Sequence, residues 1–570
     1  MSSFEPIPLA IGFTGHRDIS PDDEDRLRAA LRERLNKLQA ASKPTPLRAF
    51  AGLAEGGDML FVEAAAELGI EIIGVLPVPV EDFVRDFEHP AHPHRDPAAL
   101  RQRFEVLLKK AADTHVVPVP SGRSPESVKS YGPSRDDQYA AAGAFIVRQS
   151  SILIALWNGV TTDKPGGTGD VVRFKRDGVP PQPGETEDFP APPDGGPVLQ
   201  LGTTRVDSMG DVEATWRDDS YPEPQGPFRT EFNKALKQLR RFNRDALRSA
   251  ERNPDRVAKS RHDLLAPGVE LDPAVTRMVN TYAVADAMAI SLQRCAHVIF
   301  VSIAVLAILM VIAFELYGHL PVHSKAGAFI VAYAVFFFVA NGVYWFEHWR
   351  KIHGRFLDYR CLAEGFRVQI FWRLAGLTDA VADNYLHQVR SELRWIRDAL
   401  RSAMVRVTVA EARLDLVRQR WVWDQSDFFT AAAKRERTYE RLTSWLAASV
   451  FAVGFVITIT LGVLEYRADP EPLSHGSPII VGALLTIAFV SAVAGAIKGF
   501  AITRAYAEHA KQYGRMARIF SLARKRLDSI EERPPMDRSR GVLIALGREA
   551  LAENAEWILL HRERQIEPPI

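Results

Sequence analysis

The sequence predicts an α/β N-terminal domain built on a parallel sheet, followed by an α-helical membrane module with four transmembrane helices in two hairpins. Three observations lead there. Short apolar runs alternate with helical patterns over the first 178 residues, glycine-bearing turns close three of those runs, and four later stretches of about 19 to 23 residues carry no Asp, Glu, Lys or Arg.

The 570 residues include 71 basic and 70 acidic ones, with 47% hydrophobic. Such averages belong to a folded protein and exclude disorder along the whole chain, and the length allows three or four domains. Two cysteines, Cys295 and Cys361, are too few for a disulfide framework or a four-ligand zinc site and read as small hydrophobes in a reducing compartment. The N-terminus lacks a basic segment followed by a long apolar one, so no secretory signal is expected and the first domain is expected in the cytosol.

The first run, residues 8–15, ends on Gly12-Phe13-Thr14-Gly15 and is followed by His16 and Arg17. Ser20-Pro21-Asp22-Asp23-Glu24 then supplies a cap candidate, a first-turn proline and acids for a helix reaching about Ala41. Strand, glycine turn, helix is the opening of a βαβ unit, in which the turn presents backbone N–H groups toward phosphate. A second unit starts at residues 47–50 and turns through Gly52-Leu53-Ala54-Glu55-Gly56-Gly57-Asp58 into a helix ending near Leu68. Residues 71–76 and 114–119 read as strands, 136–150 as a helix and 152–157 as a strand. Pro165-Gly166-Gly167-Thr168-Gly169 then leads into a helix from Asp170. All three turns lie at carboxyl ends of predicted strands, where open α/β sheets bind ligands.

His89, His92 and His94 are interleaved with Pro90, Pro93 and Pro97, which favours an extended surface loop over a metal site. Residues 178–227 are rich in Pro, Gly and acids and read as an insertion or linker, the alternative being a lid. Eight Lys and Arg residues between 240 and 261 fit attraction to anionic headgroups or simple solvation; specific nucleic-acid binding is not expected, since stacking aromatics are scarce.

The uncharged stretches are 296–314, 326–346, 442–464 and 477–497, each long enough at 1.5 Å per residue to cross about 30 Å of hydrocarbon. Basic residues collect before the first and third and after the second and fourth, while the two connecting loops are poor in them. The bilayer is thus an expected partner, in the cell inner (cytoplasmic) membrane, with both termini cytosolic. Ionisable residues, which transporters place at the midplane, are confined to His297, so a substrate-coupled transporter is not expected. Ser491, Gly495 and Gly499 allow close helix approach, within one chain or in an oligomer. The hairpins read as a duplication: Phe346 and Phe500, Tyr359 and Tyr513, and Ala363 and Ala517 share one offset of 154 residues.

The three glycine turns, with Trp157 before the third, resemble the SLOG superfamily, the Rossmann-like group related to the LOG phosphoribohydrolases and DprA. The hairpins with trailing helices, ending in Glu553-Asn554-Ala555-Glu556-Trp557 and His561-Arg562-Glu563-Arg564, resemble the SLATT two-transmembrane effector domain, here twice. The resemblance implies a nucleotide or nucleotide-derived second messenger as ligand and no resident cofactor. It also implies a pore-forming, membrane-disrupting role in bacterial antiviral defence, as a homo-oligomer. By that analogy Gly12, Thr14, Gly15, His16 and Arg17 face a phosphate or ribose, Gly52, Glu55, Gly57 and Asp58 form the second turn of the site, and Gly166, Gly167 and Thr168 cradle a second phosphate. LOG enzymes carry Pro-Gly-Gly-x-Gly-Thr-x-x-Glu with a catalytic final Glu, whereas Arg173 occupies that position here, which speaks against catalysis. The alternative function is a membrane-tethered nucleotide hydrolase, with Glu55 or Asp58 as substitute carboxylate. The implied boundaries are 1–178, the insertion and basic linker 179–272, a first SLATT-like unit 273–420 and a second 421–570.

Overall fold

The computed structural model describes residues 4–88, 96–120, 122–160, 165–179, 195–206, 215–220, 227–319, 326–384, 393–403, 412–467, 478–529 and 536–563. The loop holding His89, His92 and His94 lies outside them, as do parts of the Pro/Gly-rich stretch and of both hairpin loops. The chain forms two compact units. The first comprises Met1–Pro254, Leu271–Asn280 and Ala380–Thr408; the second comprises Asp255–Glu270, Thr281–Asp379 and Val409–Ile570.

The first unit is built on strands β1 (Leu9–Gly15), β2 (Leu47–Ala51), β3 (Glu71–Leu76), β4 (Asp113–Val116), β5 (Ile152–Leu156), β6 (Pro197–Leu201) and β7 (Trp216–Ser220). Their spatial order is β4-β3-β2-β1-β5-β6-β7, the first six parallel and β7 antiparallel to β6. Helices α1 (Glu24–Ser42), α2 (Gly57–Glu67), the single turn α3 (Val80–Phe83), α4 (Pro97–Lys110), α5 (Pro133–Gln149) and α6 (Thr168–Asp177) connect them. Period-2 alternation sends Leu9, Ile11 and Phe13 into a core with Leu31, Phe61 and Phe104, and Ala10 into a second core with Val147, Val171 and Phe174. Both faces are therefore covered, as a parallel sheet requires.

The sheet continues past residue 178. β6 and β7 lie in the stretch read as insertion, where a five-residue apolar run is too short to stand out among prolines and glycines; burial of Val198 and Leu201 shows what it is for. α7 (Pro227–Arg252) is likewise not merely a solvated basic helix. Its Phe242 and Asn243 are buried: Asn243 Oδ1 accepts the Ile7 N–H (2.9 Å), and its amide donates to Ile7 O (2.8 Å) and Thr45 Oγ1 (2.9 Å). A further helix, Arg394–Ala403, comes from between the second and third apolar stretches and docks beneath the amino ends of the strands. There Asp398 accepts from Ser151 (3.0 Å), Arg401 reaches Arg148 O (3.2 Å), Ser402 O accepts from Arg48, and Trp395 packs 5.7 Å from Phe242.

In the second unit four helices are long and apolar enough to cross a membrane. Pro273–His319, which starts in the first unit, is followed by Gly327–Arg350, and Asp424–Arg467 by Pro478–Thr503. Each hairpin continues as an amphipathic helix, Ile352–Leu374 or Tyr506–Ser529. The joints are alike: among the described residues only Lys351 (φ 51°) and Ala505 (φ 53°) are non-glycines with positive φ, and they stand at the same 154-residue offset as Phe346 and Phe500. Ring contacts between Phe300 and Phe500 (5.7 Å), Phe500 and Tyr506 (6.2 Å), and Tyr439 and Tyr506 (5.7 Å) bring the basic ends of three spans into one layer. The basic end of the remaining one joins through His353 Nε2, 3.1 Å from His561 O, whose ring stacks on His509 at 5.0 Å.

Beneath that layer Arg360 bonds Asp286 (3.0 Å) and Glu364 (2.6 Å), and Arg367 bonds Glu364 (3.0 Å) and the Tyr282 hydroxyl (2.7 Å). Glu553, on the last helix Met536–Glu563, is pushed up to about 8, by burial first and then by Glu364. Asn243→Ala should lower the stability of the first unit by about 2 kcal/mol or more, since it leaves the buried Ile7 amide without its acceptor. The unfolding temperature of the purified full chain checks this.

Candidate functional site

The chain leaves β1 toward β2 on one side and returns as β5 on the other, so the carboxyl ends of β1 and β5 flank the point where strand order reverses. Doubly wound sheets leave a ligand crevice there. The first turn, after β1, is carried by Gly15, His16 and Arg17. The His16 N–H donates to Leu156 O (3.1 Å), extending the β1–β5 pairing past the strand ends. His16 Nε2 then lies 3.2 Å from the Asn158 N–H and 3.1 Å from Asn158 Oδ1, which ties the loop after β1 to the loop after β5. Burial, with Arg205 assisting against Asn158 and Asp18, holds the His16 ring below its ordinary pKa.

Glycines set the distance between the first and second turns. A Cβ on Gly57 would lie 2.9 Å from the Gly15 Cα, and the Gly57 N–H donates to His16 O (2.9 Å). Gly56 (φ 79°) faces the Arg17 carbonyl so closely that any side chain would strike it, and its backbone lies in the left-handed region. Gly52 makes room for the Asp58 carboxylate, which folds back toward the Ala54 backbone. Asp58 is pushed up to about 7, chiefly by burial, with Arg17 opposing and Glu55 adding to the rise. Gly12 has a different duty from that expected of it. Its missing side chain lets α5 approach, since a Cβ would lie 2.7 Å from Ser150 Oγ and 3.0 Å from Ile146, so it serves packing at mid-strand. Thr14, next to last in β1, is buried.

Arg17 stands where the first two turns meet. Its side chain is 33% exposed, lies 3.8 Å from the carboxylate of the buried Glu55, and sits over the Tyr139 ring at 4.9 Å. The third turn packs on Tyr139, for a Cβ on Gly166 (φ 72°) would strike the Tyr139–Ala140 backbone. Gly167 caps α6, which opens at Thr168, and the Gly166 N–H donates to Asp170 (3.1 Å), which also takes Arg173. Arg173 is thus engaged with Asp170 on its own helix.

The structure adds residues that the motifs did not single out. The Tyr139 hydroxyl bonds Asp86, Asp86 pairs with Arg135 (2.7 Å), and Arg135 also holds Val128 O (2.9 Å) and Asp82 O (3.1 Å). Gln138 donates to Pro77 O (2.6 Å) and Val117 O (2.8 Å). Arg135, Gln138 and Tyr139 share a helix face by their i, i+3, i+4 spacing, and that spacing was the available signal. On the far side Arg205 pairs with Asp18 (2.7 Å). Burial and Asp86 push the Tyr139 hydroxyl above its ordinary range against the pull of Arg17, so at neutral pH it stays a donor.

No ligand-bearing metal cluster occurs among the described residues. No protein-family model, curated protein or solved structure matches the chain.

Two outcomes follow from this geometry. Gly56→Ala should cost about 1–3 kcal/mol, read as a lowered unfolding temperature, because it adds a clash to a left-handed residue. Asp58 has a folded-state pKa above its unfolded one, so the unfolded chain binds fewer protons between about pH 4 and 7 and stability falls as pH rises through that window. Asp58→Asn removes that term, and its stability relative to the native chain should improve from pH 5 to pH 7.5.

Proposed function

We propose that this chain is a membrane effector whose α/β domain senses a nucleotide-derived ligand and controls a membrane-disrupting or pore-forming helical module in bacterial defence. The observation that carries this reading is the meeting of the first two glycine turns at Arg17, at the switch point between β1 and β5, with the third turn packed against Tyr139, whose ring lies under Arg17. The guanidinium fork of Arg17 suits phosphate oxygens, and the Tyr139 ring lies beside it. The SLOG-like motifs and the SLATT-like repetition of hairpin and trailing helix support the same assignment. In this reading the basic ends of the spans face the cytosol with both termini, the chain resides in the inner membrane, and it works as a homo-oligomer. A ligand that prefers the active state a hundredfold supplies about 2.7 kcal/mol toward it.

A second reading, a nucleotide hydrolase anchored by the spans, draws on one observation: the buried Glu55 carboxylate beside Arg17. Arg173, in the position of the LOG glutamate, weighs against it.

Because residues 380–408 and β6 belong to the first unit, the test uses the full chain in detergent or nanodiscs. Linear and cyclic nucleotides are screened by thermal shift, and any hit is analysed for products. The sensor reading expects stabilisation by a nucleotide that is recovered intact, a loss of about 10- to 100-fold in affinity for Arg17→Ala, and ligand-dependent leakage of dye-loaded liposomes. Consumption of the ligand would put the hydrolase first; stabilisation by none, or an Arg17→Ala chain that binds equally well, would remove both.

A further inference from the structure

Six cations stand exposed where the apolar helices end: Arg350, Lys351, Lys434, Arg437, Arg441 and Lys498. Deeper in the same unit four arginines are matched by acids: Arg360 with Asp286, Arg367 with Glu364, Arg562 with Asp358 and Arg515 with Glu549. Among the described residues none of the six takes part in an ion pair. Of the acids nearby, Glu347 accepts the His353 N–H (3.1 Å) and the buried Glu436 lies 3.5 Å from Arg435, while Glu440, between Arg437 and Arg441, leaves the cluster of six with a net positive charge.

Helix dipoles account for cations at the ends of helices, and so for Arg350 and Lys351 at the end of Gly327–Arg350. They do not account for Lys434, Arg437 and Arg441. These lie inside the unbroken helix Asp424–Arg467, and their i, i+3, i+7 spacing puts them on one face. Large aromatic residues flank the same level: Trp345, Trp349 and Trp445 are 62%, 77% and 67% exposed. Amphipathic rings of this kind settle at the boundary between hydrocarbon and headgroups. The ring contacts that bring the span ends into one layer place these cations together at that boundary.

We propose that this layer is a recognition surface for phospholipids with a net negative headgroup, so that the protein gathers acidic lipid around its basic end. Zwitterionic headgroups carry a phosphate too, but their ammonium cancels its charge at this distance; an acidic headgroup does not. The proposal needs only the spanning arrangement and makes no use of the ligand of the α/β unit.

The test reconstitutes the full chain in mixed phosphatidylcholine and phosphatidylglycerol vesicles and compares quenching of its tryptophan fluorescence when one lipid or the other is brominated. The exposed indoles at the boundary report the lipid beside them. Phosphatidylglycerol is expected to be enriched at least twofold over its bulk share at about 0.1 M salt and to fall toward that share at about 1 M. The triple variant Lys434→Gln, Arg437→Gln, Arg441→Gln should lose at least half the excess while quenching by brominated phosphatidylcholine stays unchanged, which shows that it is still inserted. Equal quenching by the two lipids with the native chain, or an excess indifferent to salt, overturns the proposal without touching nucleotide sensing. The salt series on the native chain decides the matter even if the variant fails to reconstitute.

Discussion

The approach of two peptide backbones, Gly15 against Gly57, is the constraint on which the candidate site depends. It leaves no room for a side chain on either partner, so the loop after β1 and the start of α2 are fixed to one another before any ligand arrives. Arg17 follows directly from that contact and has little freedom in where it points. Glu55, two residues before Gly57, is delivered to it from the other turn, and Tyr139 reaches it from α5 on the opposite face of the sheet. A rigid first turn with a charged residue at its tip is a preorganised arrangement, in which ordering is completed by folding and need not be drawn from binding.

The second unit obeys a different economy. Its spans bury few polar groups, and its specificity lies in the layer where they end. Two non-glycine residues in the left-handed region interrupt the chain at equivalent places, turning an apolar helix into an amphipathic one. Such conformations cost about 1–2 kcal/mol each and persist only where the surroundings determine them, here the stacked rings of His509 and His561 and the bond from His353. The polar network of Tyr282, Asp286, Arg360, Glu364 and Arg367 lies just beneath, with each charge answered. Cancelled charge in this buried network and uncancelled charge at the span ends is the pattern of a module meeting two solvents.

Legibility followed signal strength. The parallel sheet, its three glycine turns and the four apolar helices could be read in the sequence because each repeats a period or a residue type that chance seldom produces over that length. β6 could not, since five residues between prolines and glycines carry no period. The place of the helix Arg394–Ala403 beneath the sheet could not be read either, for Asp398 and Arg401 look like any solvated face until Ser151 and Arg148 are found opposite them. Gly12 shows the reverse failure: a motif glycine whose duty is helix packing. The site was half legible, its glycines and Arg17 from local pattern, Tyr139, Asp86 and Asn158 only from the tertiary fold.

One feature of the chain path bears on how the protein is made. The helix Arg394–Ala403 completes the floor of the α/β unit, yet the ribosome produces it only after the first apolar hairpin has been synthesised. Translation runs from one end, so the sheet waits on its last supporting element until that hairpin has left the ribosome and met the bilayer. Assembly of the α/β unit is thereby scheduled behind synthesis of that hairpin, and a truncated product ending before residue 394 has every glycine turn but lacks the helix that closes the base beneath them.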